Sequence, residues 1–135
     1  MITLKGMSMN MKLILLAAAL TLPASAALAD GDAKKGAVVF KKCMACHTAT
    51  APKNMVGPSL MGIVGRPVAK AEGFKYSPAM IAFGEGKVWD EATLASYLPA
   101  PSTLVKGTKM AFAGLKKHDE IEDLIAYLKD PAAAK

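Results

Sequence analysis

The sequence predicts an all-α domain preceded by a processing segment. Three observations lead there. Near the C-terminus, Ile121, Leu124, Ile125 and Leu128 recur at i, i+3, i+4 and i+7, the spacing of one helix face. Asp32, Ser77-Pro78 and Asp90 each stand where a helix can begin. Between these stretches run Gly- and Pro-rich segments, with no pattern of parallel strands.

Taken in order, residues 1–29 do not read as fold. Lys12 precedes the apolar run 13–20, then come Pro23 and Ala27-Leu28-Ala29. A basic flank, a short apolar core and an A-x-A site make the layout of a secretory leader. The run is too short to cross about 30 Å of hydrocarbon, and Pro23 interrupts it. Cleavage after Ala29 is therefore expected, giving a leader over 1–29 and one domain over 30–135. Met1, Met7, Met9 and Met11 all precede the run, so Met9 or Met11 can equally be the start. The leader carries Lys5 and Lys12 and no acid, so its removal takes the formal charge from +6 to +4. A mildly basic balance suits nucleic acid, a membrane surface or an acidic protein. Export argues against nucleic acid.

Asp32 is the expected cap of a first helix running to about Lys42, with Ala33, Gly36, Ala37 and Phe40 on one face. Ser77 and Pro78 read as cap and first residue of a short helix. A further helix is expected over 90–98, stopped by Pro99 and Pro101. Asp119-x-x-Glu122 resembles a capping box that opens the last helix, and Pro131 ends it. The Ala132-Ala133-Ala134 tail is expected to fray. Loops as extensive as 52–67 need something to pack on in so small a domain.

The only cysteines lie in Cys43-Met44-Ala45-Cys46-His47. A disulfide across a two-residue spacer would close a very short loop and stabilise little. A thioredoxin-like pair needs a βαβ context, and a helix precedes this one. C-x-x-C-H is the attachment pattern of a c-type haem. Each thiol adds to one vinyl group, a helical turn spaces the two sulfurs, and the next residue brings an imidazole beneath the iron. His47 is thus the expected proximal ligand. A flat apolar cofactor would also supply the surface on which the loops pack.

What fills the opposite axial site separates a carrier from a catalyst. Residues 30–135 offer Met44, Met55, Met61, Met80 and Met110, with His118 as the one other histidine. Met44 is inside the attachment loop, Met55 and Met61 are close to His47 in sequence, and Met80 reads as core packing. Met110 lies in the irregular stretch Lys106-Gly107-Thr108-Lys109-Met110, far enough along to return over a haem. His118 reads as an exposed residue at a helix start, with bis-histidine ligation as the alternative.

Further motifs stand in order along residues 31–128: Gly57-Pro58-x-Leu60-x-Gly62-x-x-Gly65-Arg66, Gly73-Phe74-x-Tyr76-Ser77, Trp89, Tyr97-Leu98-x-x-Pro101 and Gly107-Thr108-Lys109-Met110-x-Phe112-Ala113-Gly114. With Cys43-x-x-Cys46-His47, these resemble the class I c-type cytochromes, on the branch of cytochrome c2 and mitochondrial cytochrome c. The resemblance implies a small cytochrome c fold, helices and loops wrapped around one covalently bound haem c. It implies Met110 as distal ligand, hydrogen-bonded by Tyr97, and the Pro58 carbonyl as acceptor for the His47 ring. Tyr76 and Trp89 would bind a haem propionate, with Arg66 nearby to offset its charge. Gly36, Phe40, Leu124 and Tyr127 would form the crossing of the terminal helices. Lys106 replaces a proline of mitochondrial members, the stretch from Tyr76 to Trp89 is longer than theirs, and their buried loop asparagine is missing.

The implied function is single-electron carriage, with no enzymatic turnover. The chain would be a monomer in the periplasm, serving respiratory or photosynthetic complexes. Its partners would be redox proteins with acidic docking surfaces (a bc1-type complex, terminal oxidase, reductase or reaction centre). Lys42, Lys109, Lys116 and Lys117 would ring the exposed haem edge and steer them. A haem enzyme with an open iron site and a fixed relay subunit are the competing functions.

Overall fold

The computed structural model describes residues 30–135; the leader expected over 1–29 lies outside them. Five α-helices follow one another: α1 (Ala33–Phe40), α2 (Pro78–Gly84), α3 (Glu91–Tyr97), α4 (Pro101–Leu104) and α5 (His118–Lys129). A 3-10 turn, Pro131–Ala134, closes the chain. Among the described residues the one β-type pairing is an isolated antiparallel bridge between Pro67 and Val88.

The crossing of α1 and α5 is the centre of the fold. Asp32 caps α1 by accepting from the Lys34 N–H at 2.8 Å and the Lys35 N–H at 3.1 Å. These satisfy donors that a helix start leaves orphaned. Gly36 then faces α5 so closely that a Cβ would overlap the Asp123 carbonyl and Tyr127 Cβ. Phe40 packs on Tyr127 at 5.2 Å between ring centroids, while Ile121, Leu124, Ile125 and Leu128 are buried as their spacing predicts. Truncating a fully buried leucine such as Leu124 costs about 2–5 kcal/mol.

The remaining helices frame the loops. Ser77 caps α2 through the Met80 N–H at 3.1 Å, with Pro78 at the first position. Asp90 caps α3 through the Thr93 N–H at 2.7 Å. Pro99 and Pro101 end α3 as expected, but Pro101 also opens α4, a short helix the sequence reading does not include. Its lack of an amide proton costs nothing in a first turn.

Two local expectations are corrected. α5 begins at His118 with Lys117 as cap residue, and no side chain caps it. Asp119 therefore sits inside the first turn, accepting from its neighbour Glu120 at 3.0 Å. The first intrahelical bond runs from the Ile121 N–H to the Lys117 carbonyl at 3.2 Å, so the helix starts before the capping-box pattern. The tail does not fray: Asp130 accepts from the Ala132 N–H at 3.1 Å, and Ala134 packs against the core.

Candidate functional site

The attachment motif continues the turn of α1. The Cys43 N–H donates to the Phe40 carbonyl at 2.8 Å, and the Cys46 and His47 N–H groups both donate to the Cys43 carbonyl, at 3.1 and 2.9 Å. The two cysteines and the histidine thus share one tight helical turn. Both thiols are unbridged and half-buried. Burial pushes the Cys43 thiol above its ordinary pKa, with Lys42 opposing weakly. A protonated thiol is a poor partner for disulfide exchange with Cys46.

His47 Nδ1 lies 2.8 Å from the Pro58 carbonyl oxygen. A carbonyl only accepts, so Nδ1 carries the proton and Nε2 keeps its lone pair free for a metal. Gly57 backs the ring, and a Cβ there would overlap the imidazole. The same loop is tied down by the Gly57 N–H, which donates to the Cys46 carbonyl at 2.9 Å. The sequence motif contains both residues but yields a role for Pro58 alone; the contact of Gly57 with the imidazole appears only in the fold.

Met110 is fixed by two hydrogen bonds of its own. The Tyr97 hydroxyl donates to Met110 Sδ at 3.5 Å. The Met110 N–H is held by Thr108 Oγ1 at 3.2 Å, a role that the motif containing Thr108 does not reveal. Tyr97 is buried, and this desolvation keeps its phenol above the ordinary pKa despite a hydrogen bond with Thr108. The hydroxyl therefore stays protonated and able to donate. Trp89 meets the Tyr97 ring edge-on at 4.9 Å, and Phe83 lies within 6.2 Å of both rings. Cys43, Leu60, Met80, Met110 and Phe112 pack, partly buried, against this one core. Met80 is thus a packing residue. His118 opens α5 with its side chain 76% exposed and paired with Glu122, which removes it from the site.

Arg66 gives a direct test of whether an anionic group belongs here. Its terminal nitrogens donate to the Ser59 carbonyl at 2.9 Å and the Met61 carbonyl at 3.4 Å. Its Nε is buried with no protein partner. A guanidinium N–H left so costs free energy, and a carboxylate at that point would relieve it. The Arg66 carbonyl accepts the Trp89 N–H at 2.8 Å, joining two of the expected propionate residues. Tyr76 is bonded within its own loop, accepting from the Ala71 N–H at 3.0 Å, which leaves its proton to donate. Beside it opens a cavity of about 790 Å³ lined in part by Phe74, Tyr76, Ile81 and Lys109. One imidazole and one thioether do not hold a metal ion by themselves; a four-nitrogen macrocycle supplies what they lack.

The lysines expected at the exposed edge are not equivalent. Lys42 is paired with Glu120 at 3.1 Å. Lys116 Nζ bonds back to the carbonyls of Pro99 and Ala113. Lys109 and Lys117 are exposed. Val56 is 78% exposed, and Met44 and Met55 lie open beside the attachment turn.

A short all-helical domain with a C-x-x-C-H turn, a carbonyl-oriented histidine and a tyrosine-bonded methionine is the architecture of a c-type haem protein. Known proteins agree. The cytochrome c family model matches residues 33–131. Cytochrome c2 of Agrobacterium tumefaciens is 45% identical over 108 residues, covering 78% of this chain and 97% of that one. Cytochrome c of Stellaria longipes is 47% identical over 103 residues, covering 75% and 94%. The structure of cytochrome c2 from Rhodospirillum centenum superposes with a TM-score of 0.69 at 42% identity, covering 73% of this chain and 97% of that one. The chain belongs to the cytochrome c family. It is an electron carrier and not an enzyme, and its Cys43/Cys46 pair is that of one covalently bound haem c.

Proposed function

We propose that the chain is exported by a leader cleaved after Ala29 and carries single electrons in the periplasm between membrane-bound respiratory or photosynthetic complexes. Cys43 and Cys46 would hold the haem through two thioethers, His47 and Met110 would bind its iron, and Tyr76, Trp89 and Arg66 would receive its propionates. The observation that carries this reading is the pair of hydrogen bonds behind the two ligands, Pro58 to His47 and Tyr97 to Met110. The haem supplies reversible one-electron chemistry between Fe(II) and Fe(III).

The chain's own residues make that exchange easy to reverse. Pro58 and Gly57 hold the imidazole in one orientation, and Thr108 and Tyr97 hold the thioether, so little has to move when charge changes. A thioether ligand and a buried aromatic surround both favour the reduced state and raise the potential. The open Met44, Met55 and Val56 beside the attachment turn suit a small apolar contact with a partner. Lys109 and Lys117 would steer acidic surfaces toward it, with encounter rates that fall as salt rises. Terminal oxidases, reductases, reaction centres and bc1-type complexes with acidic docking faces are the proposed donors and acceptors, met by a monomer.

An optical redox titration of the purified protein tests the ligation. A reversible one-electron wave with the far-red band of a thioether–Fe(III) bond is expected. A high-spin spectrum that binds added ligands freely would overturn the closed-site carrier.

A further inference from the structure

The described chain begins under unusual restraint. Gly31 lies so close to α5 that a Cβ would overlap the Glu122 carbonyl. The Asp32 N–H, one residue on, donates to Asp123 Oδ1 at 2.7 Å. Together these clamp a two-residue strap across α5 and hold Asp30 at a cavity of about 210 Å³ between α3 and α5. The floor is apolar, formed by Ala95, Ile121 and Ile125.

The walls are not. Glu91 comes from α3, Glu122 from α5 and Asp130 from the turn beyond it, and Asp30 adds its own carboxylate. Against these four stands Lys129, already bonded to Glu91. His118 reaches the same space, with Nδ1 3.3 Å from Glu122 Oε1. Asp32 and Asp123, bound along the strap, add further negative charge, offset at Asp32 by the neighbouring Lys34 and Lys35. The cavity is short of positive charge at the place where the strap enters it.

We propose that leader cleavage after Ala29 completes this site, the new α-ammonium of Asp30 binding among the carboxylates of Glu91, Glu122 and Asp130. This rests on the cleavage reading of the proposed function. Within an uncleaved chain the same nitrogen is a neutral amide with one proton. Cleavage turns it into a cation with three donors, attracted by the surrounding carboxylates. Processing then does more than release the domain: it adds an ionic tie to a strap that Gly31 and Asp32 already hold against α5.

The sign of the pH dependence follows. Carboxylates around the ammonium raise its folded-state pKa above the ordinary value of about 7.7–8.0. The added stability is complete below that ordinary value and is lost as pH rises through the folded one.

Mass spectrometry of the exported holoprotein identifies its first residue. Three holoproteins are then compared: one starting at Asp30, its N-acetylated form, and Glu122→Gln starting at Asp30. The pH dependence of amine acylation gives the α-amine pKa, and thermal midpoints are read at pH 7 and about pH 10.5. The expected results are an exported chain starting at Asp30 and an amine that titrates above the ordinary range. Glu122→Gln should move it back toward that range, and acetylation should lower the midpoint at pH 7 but not at the higher pH. An amine that titrates ordinarily, with a midpoint indifferent to acetylation, overturns the site. An exported chain starting elsewhere overturns the cleavage reading instead.

Discussion

Replacing Tyr97 by phenylalanine removes its hydrogen bond to the proposed iron ligand, together with the one it shares with Thr108. The ring keeps its edge-on packing against Trp89, and only the hydroxyl that donates to Met110 Sδ at 3.5 Å is lost. That bond draws electron density from the sulfur and makes it a poorer donor, which favours Fe(II). A net hydrogen bond is worth about 0.5–1.5 kcal/mol. The part that differs between oxidation states is smaller, about 0.5–1 kcal/mol by the same measure. For one electron, where a tenfold change in equilibrium is about 59 mV, this becomes a fall of about 20–45 mV. Cyclic voltammetry of the two proteins at pH 7 reads it directly. The far-red thioether band must persist in the variant, which shows that ligation is intact. An unchanged or raised potential with that band present would refute the role given to Tyr97. Its phenol also titrates above the ordinary value because it is buried. The wild-type protein should lose stability as pH climbs past about 10, and Tyr97→Phe should flatten that decline.

Gly57→Ala should sharply reduce haem incorporation, because a Cβ overlaps the His47 ring; the yield of covalently bound haem on denaturing gels measures it. Ala69 has φ +57, which costs a residue with a side chain about 1–2 kcal/mol. Ala69→Gly should relieve that and lose part to chain entropy, for a net gain of up to about 1 kcal/mol in denaturant unfolding. The Asp90 carboxyl is held below its ordinary pKa of 3.8 chiefly by its hydrogen bonds to Thr93. Asp90→Ala should therefore lower the thermal midpoint at neutral pH. The deficit should close as pH falls through and below 3.8, because the wild type loses the same stabilisation there.

Much of this was readable because it is local. The turn that joins Cys43, Cys46 and His47, the caps at Asp32, Ser77 and Asp90, and the face of α5 each depend on neighbours a few residues away. Helical period and capping chemistry fix such features without the rest of the chain. Where a local pattern misled, a nearby alternative won. Asp119-x-x-Glu122 has the form of a capping box, yet the Lys117 carbonyl starts α5 earlier. Pro101 was legible as a stop for α3 but not as the start of α4. The alanine tail gave no sign that Asp130 would cap it and the core would hold Ala134.

The resemblance carried the long-range pairings of His47 with Pro58 and Tyr97 with Met110; periodicity alone did not. What the sequence by itself determined is the class of cofactor, because C-x-x-C-H is complete within five residues. Tertiary structure alone decided which lysines stay free. Lys42 is drawn to Glu120 and Lys116 to two carbonyls, leaving Lys109 and Lys117 open. It also decided that Arg66 keeps a buried N–H without a protein partner, and that the strap at Gly31 ends among carboxylates. The physical reason is common to all three. Free charge and unmet hydrogen bonds depend on what folding brings alongside a residue, and that partner is distant in sequence.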